Sequence, residues 1–415
     1  MKNIKQKIYN WLKWSEKYTQ TDMIYLTKSG SWLLLARIVL LISSLLLSVA
    51  FANLLPKETY GSYQYILSIA ALLAIPTLTG INTALMKAVA QRAEGSIIPA
   101  LKTRMRWGLL GGLASLFVAG YYYLNGNDSL TIVFLIIAVF MPIMDPLGIY
   151  GSFLTGKKLF KTSAFYSAIS QITNVLTLST VIFFTNNILL IIFAYYIMHT
   201  TLRFVFLVCT IKKFKKNDTV ASDTIPYGKH LSLMGIIGTI AIQADKILMW
   251  HFFGAAQLAV YAFALSPISQ LRSFLGSIET LAFPKFAGKN IETIKKTLPS
   301  KMLRLFLVLI IPVGLYIIAA PYIYSLLFPQ YMDSVVYSQF FALTLLFFPQ
   351  KLMGTTLTAH AHKRALYVIS IINPTVKILG LIILLPIFGL AGAIAALTIP
   401  YAVNTIVLTY FFRKM

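Results

Sequence analysis

The sequence predicts an all-α integral membrane protein of about twelve transmembrane helices in two six-helix bundles. Three observations carry this. The chain of 415 residues is 58% hydrophobic and only 12% charged, with a mean hydropathy of +0.76. A soluble domain carries roughly 25% charged and 45–50% apolar residues, so a chain this apolar needs lipid as its solvent. Apolar stretches recur at the length a bilayer requires, and the basic residues gather in alternate connections between them.

A hydrocarbon core of ~30 Å takes about 20 apolar residues of helix. Twelve stretches meet that need: 31–55, 62–86, 107–124, 129–150, 164–184, 188–210, 231–252, 257–283, 303–328, 336–358, 365–386 and 391–411. Short polar turns divide them, such as Pro56-Lys57-Glu58, Asn125-Gly126-Asn127-Asp128 and Asn186-Asn187. Prolines and glycines interrupt several (Pro76 with Gly80, Pro142 with Pro146, Pro267, Pro312 with Gly314, Pro349, Pro374). Such breaks are tolerated where neighbours or water satisfy the freed backbone groups. Ahead of the first stretch, residues 1–30 are basic, with Ile4, Ile8, Trp11 and Leu12 at helical spacing. That is the pattern of an interfacial helix on an anionic leaflet rather than a cleaved signal; a frayed tail is the other reading.

Lys and Arg in the connections set the orientation. One side of the membrane receives 29 of the 36, the opposite side Lys57 alone, and six fall within helices. Both termini are therefore expected in the cytoplasm, which requires an even number of spans. The net charge of +24 follows from this distribution and needs no nucleic acid. The single cysteine, Cys209, rules out an intramolecular disulfide.

Six spans per half would bring the second half into the membrane in the orientation of the first, as parallel repeats do. A shift of 198 residues aligns Tyr63 with Tyr261, Leu67 with Leu265, Ser68 with Ser266, Leu73 with Leu271, Ala84 with Ala282 and Lys87 with Lys285. The expected organisation is an interfacial segment at 1–30, a first bundle at 31–211, a basic cytoplasmic linker at 212–230 and a second bundle at 231–415. A cleft between two such bundles is the expected transport path.

Ionisable groups at membrane depth cost about 2.5–3.5 kcal/mol each on insertion scales, so they face a cavity or a partner. The basic ones are Arg37, Arg203, Arg272, Lys351 and Lys377; the acidic ones are Asp145, Asp245 and Glu279, with Lys246 next to Asp245. Several buried cations form a site for an anionic head group, because guanidinium forks match phosphate oxygens. Pairing with the three carboxylates, or snorkelling to the interface, is the alternative. Neighbours on a helix point about 100° apart, so Asp245 does not pair well with Lys246. It is a candidate for coupling transport to H+ or Na+, as are Asp145 and Glu279; a fixed pair with another helix is the alternative.

No phosphate-cradling glycine loop, metal cluster or Ser-His-Asp constellation is present, and the five histidines are scattered. The chain is thus expected not to be an enzyme and to carry no cofactor. The expected outer loops, at most about ten residues, leave no room for the catalytic extracytoplasmic loop of a membrane glycan polymerase or ligase.

Three sets of residues carry a resemblance: Phe51-Ala52-Asn53-Leu54-Leu55-Pro56 with Tyr60-Gly61-Ser62-Tyr63; Gln243-Ala244-Asp245-Lys246 with Gly254, Ala259, Tyr261 and Ala264; and Pro284-Lys285 with Leu327-Phe328-Pro329-Gln330-Tyr331. In these the chain resembles the bacterial polysaccharide transporter family, the Wzx-type O-antigen flippases of the multidrug/oligosaccharidyl-lipid/polysaccharide (MOP) exporter superfamily. The resemblance implies a V-shaped, MATE-like pair of bundles in the bacterial inner membrane. It implies a flippase for undecaprenyl-diphosphate-linked oligosaccharide, such as an O-antigen repeat unit of lipopolysaccharide. Arg37 agrees with the cationic cavity of that family. Implied partners are the lipid-linked oligosaccharide, membrane lipids, and the polysaccharide polymerase and chain-length machinery. A cation-coupled multidrug exporter is the rival within the superfamily; a membrane glycan polymerase or ligase is the rival outside it.

Overall fold

A computed structural model describes residues 23–287, 290–360 and 362–414, with side chains described from residue 38 onward except at 274, 277–285, 287 and 363. The interfacial helix expected at the N-terminus lies outside the described residues up to residue 22. Among the described residues every regular element is helical: α1 (Met23–Leu54), α2 (Lys57–Leu73), α3 (Gly80–Ala90), α4 (Ile97–Leu124), α5 (Asp128–Leu147), α6 (Tyr150–Gly156), α7 (Phe160–Phe184), α8 (Ile188–Phe214), α9 (Thr224–Ala287), α10 (Ile291–Leu327), α11 (Ser334–Leu343), α12 (Lys351–Ala359) and α13 (Lys363–Lys414). Short 3-10 turns at Ile75–Thr77, Glu94–Ser96, Pro329–Tyr331 and Thr344–Gln350 fall among them.

Among the described residues eight helical segments are long and apolar enough to cross a membrane, or nine if α2 and α3, bent by 45° at their break, form one span. This count differs from the twelve expected. Two of the eight, Thr224–Ser273 and Arg364–Lys414, run to 50 and 51 residues, about 75 Å if straight. That is more than twice the hydrocarbon thickness. Each is broken within, α9 at Gly254 (φ 77°) and α13 at Gly389 (φ 57°), a conformation that glycine alone adopts without penalty. Ile38–Leu54, the part of α1 with described side chains, is apolar but shorter.

The chain divides into two compact units, one of Met1–Ser48, Pro76–Phe184 and Leu189–Leu233, the other of Val49–Ile75, Thr185–Ile188 and Met234–Met415. In the first unit the core joins α3, the start of α4, the end of α5, α6 and α8 through Ile81, Leu85, Ile97, Leu147, Phe153 and Leu207. The Glu94–Ser96 turn holds the chain that follows α8. Glu94 accepts from the Lys216 backbone N–H and pairs with Lys157 at 2.7 Å, and Ser96 Oγ accepts from Ala221 N–H at 2.9 Å.

In the second unit residues of the first and third motif sets meet Phe263 of α9 in one aromatic cluster. The Tyr60 ring lies 4.7 Å from Phe263, which lies 3.9 Å from Tyr331 and 5.4 Å from Phe328, while Phe51 packs 5.3 Å from Tyr60. Asn53 donates to the Leu327 carbonyl at 3.0 Å, and Tyr324 donates to the Phe263 carbonyl at 2.8 Å. Gly61 lets α2 lie directly on the backbone of α9: a Cβ there would sit 1.8 Å from the Ala255 carbonyl oxygen. Phe51, Tyr60, Gly61, Phe263, Phe328 and Tyr331 are buried, so their role is packing.

Candidate functional site

In the first unit the ionisable groups centre on Asp145, near the end of α5. Arg203 of α8 approaches its Oδ1 at 3.4 Å and also donates to the Met144 carbonyl at 2.9 Å. Arg104 of α4 lies 3.7 Å from Oδ2, and Thr77 donates to Oδ2 at 3.0 Å. Arg104 is 1% exposed. Its Nε donates to the Thr77 carbonyl at 3.0 Å and its Nη1 to Asn82 Oδ1 at 2.8 Å. It thereby satisfies a carbonyl freed where α2 gives way to α3, next to Leu78 at φ 54°. Two guanidinium groups share one carboxylate, leaving a surplus of one positive charge.

In the second unit the buried carboxylate is Asp245, which is 5% exposed. Tyr261 donates to its Oδ2 at 2.6 Å, and Lys377 of α13 lies 3.5 Å from Oδ1. Lys246 turns away from its chain neighbour and donates to Gln64 Oε1 at 2.9 Å; Gln64 in turn donates to Tyr60 at 2.8 Å. Lys377 is thus the cation that meets Asp245, while Lys246 is held by Gln64.

A separate cavity in the same unit, about 30 Å³, is lined by Arg272, Thr344, Gln350, Lys351, Tyr401 and Asn404, together with Leu345, Phe347 and Phe348. Arg272 donates to Thr344 Oγ1 at 2.7 Å and lies 5.1 Å from the centre of the Tyr401 ring. Lys351 sits 5.9 Å from the Phe348 ring. Among the described residues no carboxylate lies within ion-pair distance of Arg272.

The sequence-derived residues thus separate. Arg203 and Lys377 each meet a carboxylate, Asp145 and Asp245, that sequence also singled out, while Arg272 and Lys351 line a common cavity. Arg37 and Glu279 have side chains outside the described residues. Arg104, which sequence places in a basic connection at 87–106, is instead a buried member of the Asp145 cluster, because α4 begins at Ile97. Its spacing from the apolar run that starts at Trp107 is the one signal that could have placed it on that helix. Among the described residues no group of three or more His, Cys, Asp and Glu could hold a metal ion.

A family model described as polysaccharide biosynthesis protein matches residues 26–288. No curated protein sequence matches the chain. In fold the chain is similar to the lipid II flippase MurJ in an inward closed conformation (TM-score 0.70, 15% identity, 93% of this chain and 87% of that one). It is also similar to a multidrug resistance MATE family transporter of the MOP superfamily. For its inward-facing conformation the TM-score is 0.65 at 11% identity, over 92% and 97% of the two chains. For its outward-facing conformation the TM-score is 0.62 at 12% identity, over 91% and 94%. At such identities the likeness is one of fold.

Proposed function

The chain belongs to the polysaccharide biosynthesis protein family, and on that premise we propose that it is a flippase for undecaprenyl-diphosphate-linked oligosaccharide. It works by alternating access, from the inner to the outer leaflet of the bacterial inner membrane, with both termini cytoplasmic. The observation that carries this reading is the excess of buried positive charge. Among the described residues, Arg104 and Arg203 share the one carboxylate of Asp145, and Lys377 meets Asp245. Each ionised group at membrane depth costs several kcal/mol, and an anionic cargo offsets the second guanidinium that Asp145 alone does not balance among the described residues. A diphosphate supplies the oxygens that guanidinium forks match.

The diphosphate binds at Arg272, with Lys351 lining the same cavity, while the polyprenyl tail stays in lipid; Arg37 is a further cargo-binding cation by the family resemblance. Any coupling to H+ or Na+ acts at Asp145, Asp245 or Glu279, by loosening pairs such as Asp245–Lys377. A drug exporter needs a carboxylate open to organic cations, whereas Asp245 already meets Tyr261 and Lys377. The test is glycan export in cells carrying Arg37→Ala or Arg272→Ala. Export should be lost with the protein still inserted; full export in both variants refutes the cationic site.

A further inference from the structure

Two helices of the first unit end in the same way. After α3, Arg92 N–H donates to the Val89 carbonyl at 3.0 Å and Ala93 N–H to that of Ala88 at 2.9 Å. After α6, Lys158 N–H donates to the Thr155 carbonyl at 2.9 Å and Leu159 N–H to that of Leu154 at 2.8 Å. In such a cap the turning residue takes a left-handed backbone and is commonly glycine. Here it is Arg92 at φ 66° and Lys158 at φ 59°, a conformation that a side chain makes costly. The two caps are neighbours. Gly156 lets α6 lie on α3, since a Cβ there would sit 2.7 Å from the Met86 carbonyl oxygen, and Lys157 reaches Glu94 at 2.7 Å.

The carboxylates near these caps are already matched. In the basic connections 87–106, 157–161 and 212–229 they are Glu94, Asp218 and Asp223, and they pair with Lys157, Lys215 and Lys87. Arg92 and Lys158 are exposed, and among the described residues neither side chain has an ion-pair or hydrogen-bond partner. Each stands two residues beyond a helical stretch of membrane-crossing length, one ending at Ala90 and one at Gly156. That is head-group depth, on the side that receives 29 of the 36 basic residues. We propose that Arg92 and Lys158 form a site for the phosphate of an anionic phospholipid, and that they stand in place of glycine for their charge. Backbone strain persists where a function holds it, and a basic residue close to an anionic leaflet gains by attraction. The site is separate from the cargo cavity and would stand if the flippase reading fell.

The test uses the full chain in detergent, with lipid binding read by native mass spectrometry and stability by thermal unfolding without added lipid. Dioleoyl phosphatidylglycerol is the probe and dioleoyl phosphatidylcholine the neutral control. Each basic residue at an anionic surface is worth about fivefold, so Arg92→Gly with Lys158→Gly should weaken phosphatidylglycerol binding roughly five- to thirtyfold. The same double variant should unfold about 2–4 °C higher, because glycine relieves both caps. Arg92→Gln with Lys158→Gln removes the charge and keeps the strain; it should lose the lipid preference without the gain in stability. Arg92→Lys with Lys158→Arg should bind as wild type. Wild-type phosphatidylglycerol binding in both the Gly and the Gln variants would overturn the site. A lower unfolding temperature in the Gly variant would assign the two cations to their helix dipoles and overturn their retention for lipid. Equal binding of phosphatidylcholine by the wild type would overturn the anionic head group. Displacement of phosphatidylglycerol by equimolar inorganic phosphate would assign the pair to a free phosphate and overturn the lipid.

Discussion

Removing Lys377 tests whether the buried charges of the second unit are a coupled pair. Its ammonium lies 3.5 Å from Asp245, and the two side chains are 17% and 7% exposed. At an effective dielectric of ~20, charges at that separation attract by about 5 kcal/mol. Breaking a buried pair from one side costs ~3–5 kcal/mol, because the surviving charge is left uncompensated. Tyr261 still donates to Asp245, so Lys377→Met should fall at the low end, about 3 kcal/mol. In a unit of this size that lowers the unfolding temperature by roughly 6–12 °C. Asp245→Asn in the same background removes the orphaned charge, and the double variant should recover most of the loss, with a coupling of about 2 kcal/mol. Thermal unfolding of the four proteins in one detergent measures the cycle. A loss below about 1 kcal/mol for Lys377→Met, with additive effects in the double variant, would refute a coupled pair. The same double variant separates structure from transport: a stable but inactive protein assigns the pair a role in ion coupling or cargo binding.

Substitutions at three other positions follow from the packing. Gly61→Ala places a Cβ 1.8 Å from the Ala255 carbonyl oxygen, backbone against backbone, and should cost at least the ~1–3 kcal/mol of ordinary overpacking, read as a lower unfolding temperature. Arg104→Ala strands Asn82 and the Thr77 carbonyl and removes one of the two guanidinium groups on Asp145; it should cost about 3–5 kcal/mol. Arg104→Lys should recover little, since an ammonium lacks the fork that reaches all three partners. Glu94→Ala frees the segment after α8 and should speed tryptic cleavage at Lys215 and Lys216, measured by mass spectrometry of the nicked chain, with little effect at distant sites.

The class of fold is legible because lipid selects for apolarity along every span, a property of composition that needs no tertiary knowledge. The span boundaries are less so. Gly254 and Gly389 mark turns inside apolar helix, and the sequence does not say whether such a glycine breaks one span or joins two. Local geometry does predict that Asp245 and Lys246 diverge, because helical neighbours point apart. It does not supply the partners, Lys377 and Tyr261, which come from another part of the fold. Arg104 is hidden for a related reason: a basic residue beside other basic residues reads as a wet loop until the helix that buries it is known. The three motif sets carry the resemblance, but the meeting of the first and third around Phe263 depends on long-range packing.

The most direct test of anionic-lipid flipping is transport by the purified chain in liposomes. A fluorescent polyprenyl-diphosphate-linked sugar would be placed in both leaflets, and its accessibility to an added quencher followed in time. Wild-type protein should expose the protected half of the lipid, and Arg272→Ala, inserted to the same level, should not. Equal exposure by both proteins, or none by the wild type in liposomes where it expels organic cations, would contradict the assignment.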